Sequence, residues 1–115
     1  MGDNVKRINA ILLYCESIDE KMNRFGRDID DFIGDPDYQH SCSFCISQIG
    51  ENIKFLPSEI TEKYPDVHWK GIAGLRDVIS HGYHKIDLET LWAFIVEEIP
   101  ALRVACESII RELGP

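Results

Sequence analysis

From Asp87 to Ile99 the chain reads DLETLWAFIVEEI. The six apolar residues Leu91 to Val96 have the length of a buried strand, so the reading of this stretch decides between sheet and helix. The spacing around them answers the question. Leu88, Leu91, Trp92, Ile95, Val96 and Ile99 recur at steps of three and four, which gathers them on one face of a helix. Asp87 stands where a side-chain oxygen can cap the first turn. Leu102, Ala105, Cys106, Ile109, Ile110 and Leu113 carry the same rhythm to the end of the chain, with Pro100 expected to bend or restart the helix.

The rest of the sequence repeats this pattern. Val5, Ile8, Ile11, Leu12, Cys15, Ile18, Met22 and Phe25 form a stripe from about residue 4 to 26, with Asp3 or Asn4 as cap and Gly26 near the stop. The acidic stretch Asp28 to Asp37 reads as a connector with a single turn of helix at most. Asp35 followed by Pro36 opens a second long helix marked by Tyr38, Cys42, Cys45, Ile46, Ile49, Ile53 and Leu56. Its Gly50 costs roughly 1 kcal/mol relative to alanine in an exposed helix, a cost that close packing against another helix can offset. Pro57 should end or bend it, and Ser58 to Tyr64 fit a short helix before Pro65. Trp69, Ile72, Leu75, Val78 and Ile79 make a third stripe, entered after Asp66 and stopped near Gly82. The expectation is all-α: an up-and-down bundle of four to five helices forming a single domain over residues 1–115.

Composition narrows the function. Twenty acidic and twelve basic residues give 115 residues a net charge of -8, which argues against broad nonspecific binding to nucleic acid or anionic membrane and leaves room for a local basic site. No apolar run approaches the roughly 20 residues needed to span a bilayer, and MGDNVKRIN lacks the pattern of a signal peptide. The expected location is the cytoplasm, where disulfides are rare. Cys15 and Cys106 fall in apolar helical patterns and read as small core residues. His40-Ser-Cys42-Ser-Phe-Cys45 has the spacing of half a zinc site, or of a redox pair at a helix start, but no second Cys-x-x-Cys follows.

Phosphate loops, His-Glu-x-x-His and nucleophile elbows are absent, and Glu51, Glu59 and Glu62 supply no Glu-x-x-His pair for a di-iron bundle. Such glutamates usually line the solvated face. Arg76 and His81 remain, five residues apart and so about 140 degrees apart around an ideal helix. On spacing alone the plain reading is a surface arginine and a histidine that ends a helix against its dipole. The other reading uses the stop at Gly82, which lets His81 swing toward a groove that Arg76 also reaches.

The segment Trp69-Lys-Gly-Ile-Ala-Gly-Leu-Arg76-Asp-Val-Ile-Ser-His81-Gly-Tyr83, followed by Ile86-Asp87-Leu88 and Trp92, resembles the signature of HepT-like toxins of the HEPN ribonuclease superfamily. Asp35 to Tyr38, Gln48-Ile49-Gly50-Glu51 and Glu98-Ile99-Pro100 resemble that family too, so the likeness covers almost the whole chain. It implies a cytoplasmic all-helical homodimer paired with a minimal nucleotidyltransferase antitoxin, cleaving RNA, transfer RNA among the substrates, without metal or other cofactor. Residue by residue it implies that Arg76 and His81 are catalytic and that Tyr83 is the tyrosine to which the nucleotidyltransferase attaches AMP. The residue after the arginine is commonly asparagine in this branch and is Asp77 here, a carboxylate able to orient Arg76 or His81 or to repel phosphate.

These residue types suit metal-free cleavage, in which the 2'-hydroxyl is the nucleophile and needs a base, an acid for the departing 5'-oxygen, and positive charge near the phosphate. His81 can move either proton and Arg76 can hold phosphate oxygens. One histidine is short of both roles, and a two-fold dimer would supply the second. His84 and Lys85 could add positive charge. The alternative from another class is a noncatalytic helical subunit that binds substrate for, or regulates, a nucleotidyltransferase.

Overall fold

The computed structural model describes residues 2–82 and 86–114. Among them the chain forms six helices: α1 (Gly2–Phe25), α2 (Ile29–Ile33), α3 (Pro36–Ile53), α4 (Ser58–Thr61), α5 (Trp69–Ser80) and α6 (Leu88–Leu113). The all-α expectation holds, and the expected count of four to five helices is corrected to six. Four long helices account for the four sequence stripes; α2 and α4, of 5 and 4 residues, fall where a single turn and a short helix were expected and bring the count to six. The α2 turn persists because Phe32 is fully buried and because Gln39 Nε2 donates to the carbonyls of Phe32 and Ile33 at 2.9 and 3.0 Å. The Phe32 carbonyl also accepts from the Asp35 N–H at 3.3 Å, so Gln39 adds a second donor there and supplies one to the carbonyl at the helix end, that of Ile33.

Pro100, expected to bend or restart the helix, does not restart it, since α6 runs through it. A proline withholds one N–H from the carbonyl four residues earlier, here that of Val96. Both residues are exposed, so water can take the missing donor's place.

Two of the expected carboxylate caps are in place, whereas Asp3 and Asn4, expected to cap α1, lie inside the helix, which already runs from Gly2. Asp35 accepts from the Tyr38 N–H at 3.2 Å to open α3, and Asp87 accepts from the Glu89 N–H at 3.4 Å to open α6. Helix α1 lies between α3 and α6, and α5 packs on α3. Arg7 stacks over Phe55 while Tyr14 meets Phe44 edge-on, so α1 and α3 run antiparallel. Phe32, Tyr38 and Trp92 form an aromatic cluster that ties α2, α3 and α6 together, with ring centroids 5.1 to 6.1 Å apart.

All four cysteines are buried free thiols. Burial pushes the Cys15 and Cys42 thiols up to about 12, which leaves almost no thiolate for redox chemistry near neutral pH. Among the described residues no group of three or more His, Cys, Asp or Glu is placed to hold a metal ion. The zinc and redox readings of Cys42 and Cys45 therefore give way to core packing. No helix among the described residues is long and apolar enough to cross a membrane.

Candidate functional site

Helix α5 positions the site. Ile72 is fully buried and Trp69 nearly so, which fixes the rotation of the helix and brings Arg76 to the α3 side. Gly50 of α3 lies beneath it. A Cβ at residue 50 would stand 2.5 Å from Arg76 Cβ and 3.3 Å from the Ile72 carbonyl oxygen, closer than real contacts allow, so only glycine lets the two helices meet at this separation.

The close approach puts the Arg76 guanidinium among carboxylates. Nη2 lies 3.0 Å from Glu51 Oε2 and Nη1 donates to Asp77 Oδ1 at 3.2 Å. The Glu51 oxygen is shielded from solvent and is not aligned for a hydrogen bond, so this contact is one of charge at short range. Lys54 Nζ lies 3.8 Å from the same Asp77 oxygen. Four charged side chains from two helices thus form one chain: Glu51, Arg76, Asp77, Lys54.

His81 is the C-cap of α5, and its N–H reaches the carbonyls of Asp77 and Val78 at 3.2 Å. Gly82 follows with φ of +124° and an N–H bonded to the Ile79 carbonyl at 3.1 Å, the left-handed stop that the sequence reading placed here. The His81 side chain is exposed. The structure sets Arg76 and His81 at the same end of one helix without a described contact between them. Tyr83, His84 and Lys85 lie outside the described residues.

Sequence reasoning missed two members of this group. Glu51 reads as solvated face and Lys54 draws no notice, yet both touch α5. Gly50 was the available signal, because a glycine inside a long helix marks a close approach and the charged residues one and four positions on flank the same contact.

A family model described as "Ribonuclease HepT-like" matches residues 6–109. The chain belongs to the HepT-like ribonuclease family. It is 34% identical to "Putative RNase MJ0125" of Methanocaldococcus jannaschii, over 92% of this chain and 93% of that protein. It is 35% identical to "Putative RNase TTE0752" of Caldanaerobacter subterraneus subsp. tengcongensis, over 91% and 92%, and 31% identical to "Probable ribonuclease HepT" of Thermococcus cleftensis, over 84% and 92%. No solved structure matches the chain.

In this HepT-like ribonuclease a second concavity, of about 250 Å³, lies between α5 and α6 and is walled by Ile72, Leu75, Ile86, Leu91 and Phe94. His68 Nδ1 and Glu98 Oε1 meet at 2.8 Å at its edge. Among the described residues its lining is mostly apolar and holds no arginine or lysine.

Proposed function

We propose that this chain is the RNA-cleaving toxin of a toxin–antitoxin pair, acting without a metal ion through a site assembled from two copies. The observation that carries the proposal is that α5 carries Arg76 and ends on an exposed His81 in a chain of this ribonuclease family. In the reaction the RNA 2'-oxygen gives up its proton to a base and attacks phosphorus, and the 5'-oxygen leaves with a proton from an acid. The products are a 2',3'-cyclic phosphate and a free 5'-hydroxyl. One His81 acts as base and the His81 of a second copy as acid, while Arg76 stabilises the charge that builds on the phosphate oxygens.

Two features support the pairing of copies. Among the described residues a single chain offers one histidine at this helix end, and Phe44 and Phe55 leave more than half their surface exposed on the outer face of α3 and just beyond it. Glu51 sits seven residues after one and four before the other, on the same stripe. A second copy covering that stripe would lie beside Arg76. A minimal nucleotidyltransferase partner would restrain the enzyme by transferring AMP from ATP to Tyr83, releasing pyrophosphate. The added phosphate would compete with RNA for Arg76.

The test is cleavage of a mixed RNA pool by unmodified protein. His81→Ala should lower the rate about 10²- to 10⁴-fold, and Arg76→Ala should lower it comparably. Chelator should leave it intact, and a 2'-deoxy substitution at the cut position should block it. The neutralisation of Arg76 by Glu51 and Asp77 favours one other reading, a noncatalytic partner of a nucleotidyltransferase. Tight binding of that enzyme by a wild type that cuts no RNA would put this reading first.

A further inference from the structure

We propose that Glu51 and Lys54 are positioning residues with separate tasks around Arg76: Glu51 holds Nη2 throughout, and Lys54 receives Asp77 when Nη1 turns to an RNA phosphate. This rests on the ribonuclease reading. As the side chains stand, Arg76 and Lys54 are balanced by Glu51 and Asp77, so the site that must attract a phosphate has no net charge of its own. Attraction requires that one carboxylate let go.

The geometry says which one. Glu51 Oε2 is itself shielded from water, although 42% of the Glu51 side chain is exposed, and a charge contact made through a shielded oxygen is screened less than one in open solvent. Asp77 is the more exposed partner, with over half of its side chain in solvent, where ion pairs are weak and exchange costs little. Its Oδ1 already stands between two cations, Arg76 Nη1 at 3.2 Å and Lys54 Nζ at 3.8 Å. A small rotation of Asp77 gives its charge to Lys54 and frees Nη1, while Nη2 stays on Glu51 and keeps the planar guanidinium aimed.

The spacing on α3 makes the arrangement possible. Glu51 and Lys54 are three residues apart and so neighbours on one helix face, and Gly50 brings that face against residues 76 and 77 of α5. Lys54 thereby offsets the charge of Asp77.

Two measurements test this. The first needs no RNA: the side-chain ¹⁵N–¹H signals of Arg76 in the whole protein report restricted rotation of its guanidinium. Glu51→Ala should relax the restriction more than Asp77→Asn does, and Lys54→Met should preserve it. An Arg76 signal untouched by Glu51→Ala overturns the role of Glu51. The second is cleavage kinetics. Glu51→Ala should lower kcat about 10- to 100-fold, with partial recovery in Glu51→Gln. Lys54→Met should raise KM about 3- to 10-fold in the natural background and less than about 2-fold when combined with Asp77→Asn. Faster cleavage by Glu51→Ala, or equal Lys54→Met effects in both backgrounds, overturns the proposal. A 2'-O-methyl RNA oligonucleotide, which cannot be cut, gives the same comparison as a Kd. Wild type that neither cuts nor binds RNA removes the ribonuclease reading and the exchange with it, while the Arg76 signal still decides the Glu51 contact.

Discussion

Gly50 and Arg76 occupy one point of contact between α3 and α5: a methyl group on residue 50 would stand 2.5 Å from Arg76 Cβ. In an exposed helix, replacing glycine by alanine stabilises by about 1 kcal/mol. Here the sign should reverse. The obstructing atoms are Arg76 Cβ and the Ile72 carbonyl, which cannot move without shifting α5 itself. Gly50→Ala is therefore expected to destabilise by about 1–3 kcal/mol, read as a lower urea midpoint at unchanged m. A stabilised Gly50→Ala would mean that the helices are not in contact at this point.

The buried thiols give stability a dependence on alkaline pH. An unfolded cysteine ionises near 8.5 to 9, whereas burial holds Cys15 and Cys42 protonated until about 12. Because the folded value is the higher one, the contribution is complete below about pH 8.5 and is lost progressively as pH rises toward 12. Each thiol should add up to about 1.4 kcal/mol of loss per pH unit within that window. Urea unfolding at pH 8, 9 and 10 checks this, and Cys15→Ala should flatten the decline. A thiol reagent at pH 7 should label the native protein slowly and the unfolded protein at once.

How legible was this in the sequence? Helix stripes and carboxylate caps were, because they depend on local spacing: Asp35 and Asp87 cap where expected and Gly82 stops α5. What α2 needed was Gln39 reaching back to the carbonyls of Phe32 and Ile33, a contact between segments that no local pattern reveals. Pro100 does not restart α6 for the reverse reason, since local rules overstate its cost when its turn faces water. At the site, Arg76 and His81 came from the motif, but Glu51 could be seen only once Gly50 had set the distance between two helices.

Regulation at Tyr83 is expected to appear as mass. Incubation with a cognate nucleotidyltransferase, ATP and magnesium should add one or more AMP groups to wild type and none to Tyr83→Phe. Modified protein should also lose affinity for RNA, because the added phosphate competes for Arg76. An increment that persists in Tyr83→Phe would place the modification on another residue.

The last prediction concerns assembly. If the second copy supplies the second proton-transfer group, the protein should be a dimer in solution with both copies of Arg76 and His81 near the two-fold axis, since a two-fold interface brings each residue near its own counterpart when it lies close to that axis. Light scattering at micromolar concentration should give twice the 13.2 kDa chain mass. The stripe of Phe44, Glu51 and Phe55 is the face expected to be covered, so Phe44→Lys should yield monomers that remain helical but cut RNA poorly. Those monomers separate assembly from folding: Phe44 has 58% of its surface exposed within one chain, and its replacement removes little from the core. A cysteine placed at Ser80, next to His81, should cross-link between copies on oxidation while the four buried thiols stay reduced. A strict monomer with full cleavage activity, or a dimer in which Ser80→Cys does not cross-link and Phe44→Lys changes nothing, would leave a single His81 to perform both proton transfers and would end the case for a shared site.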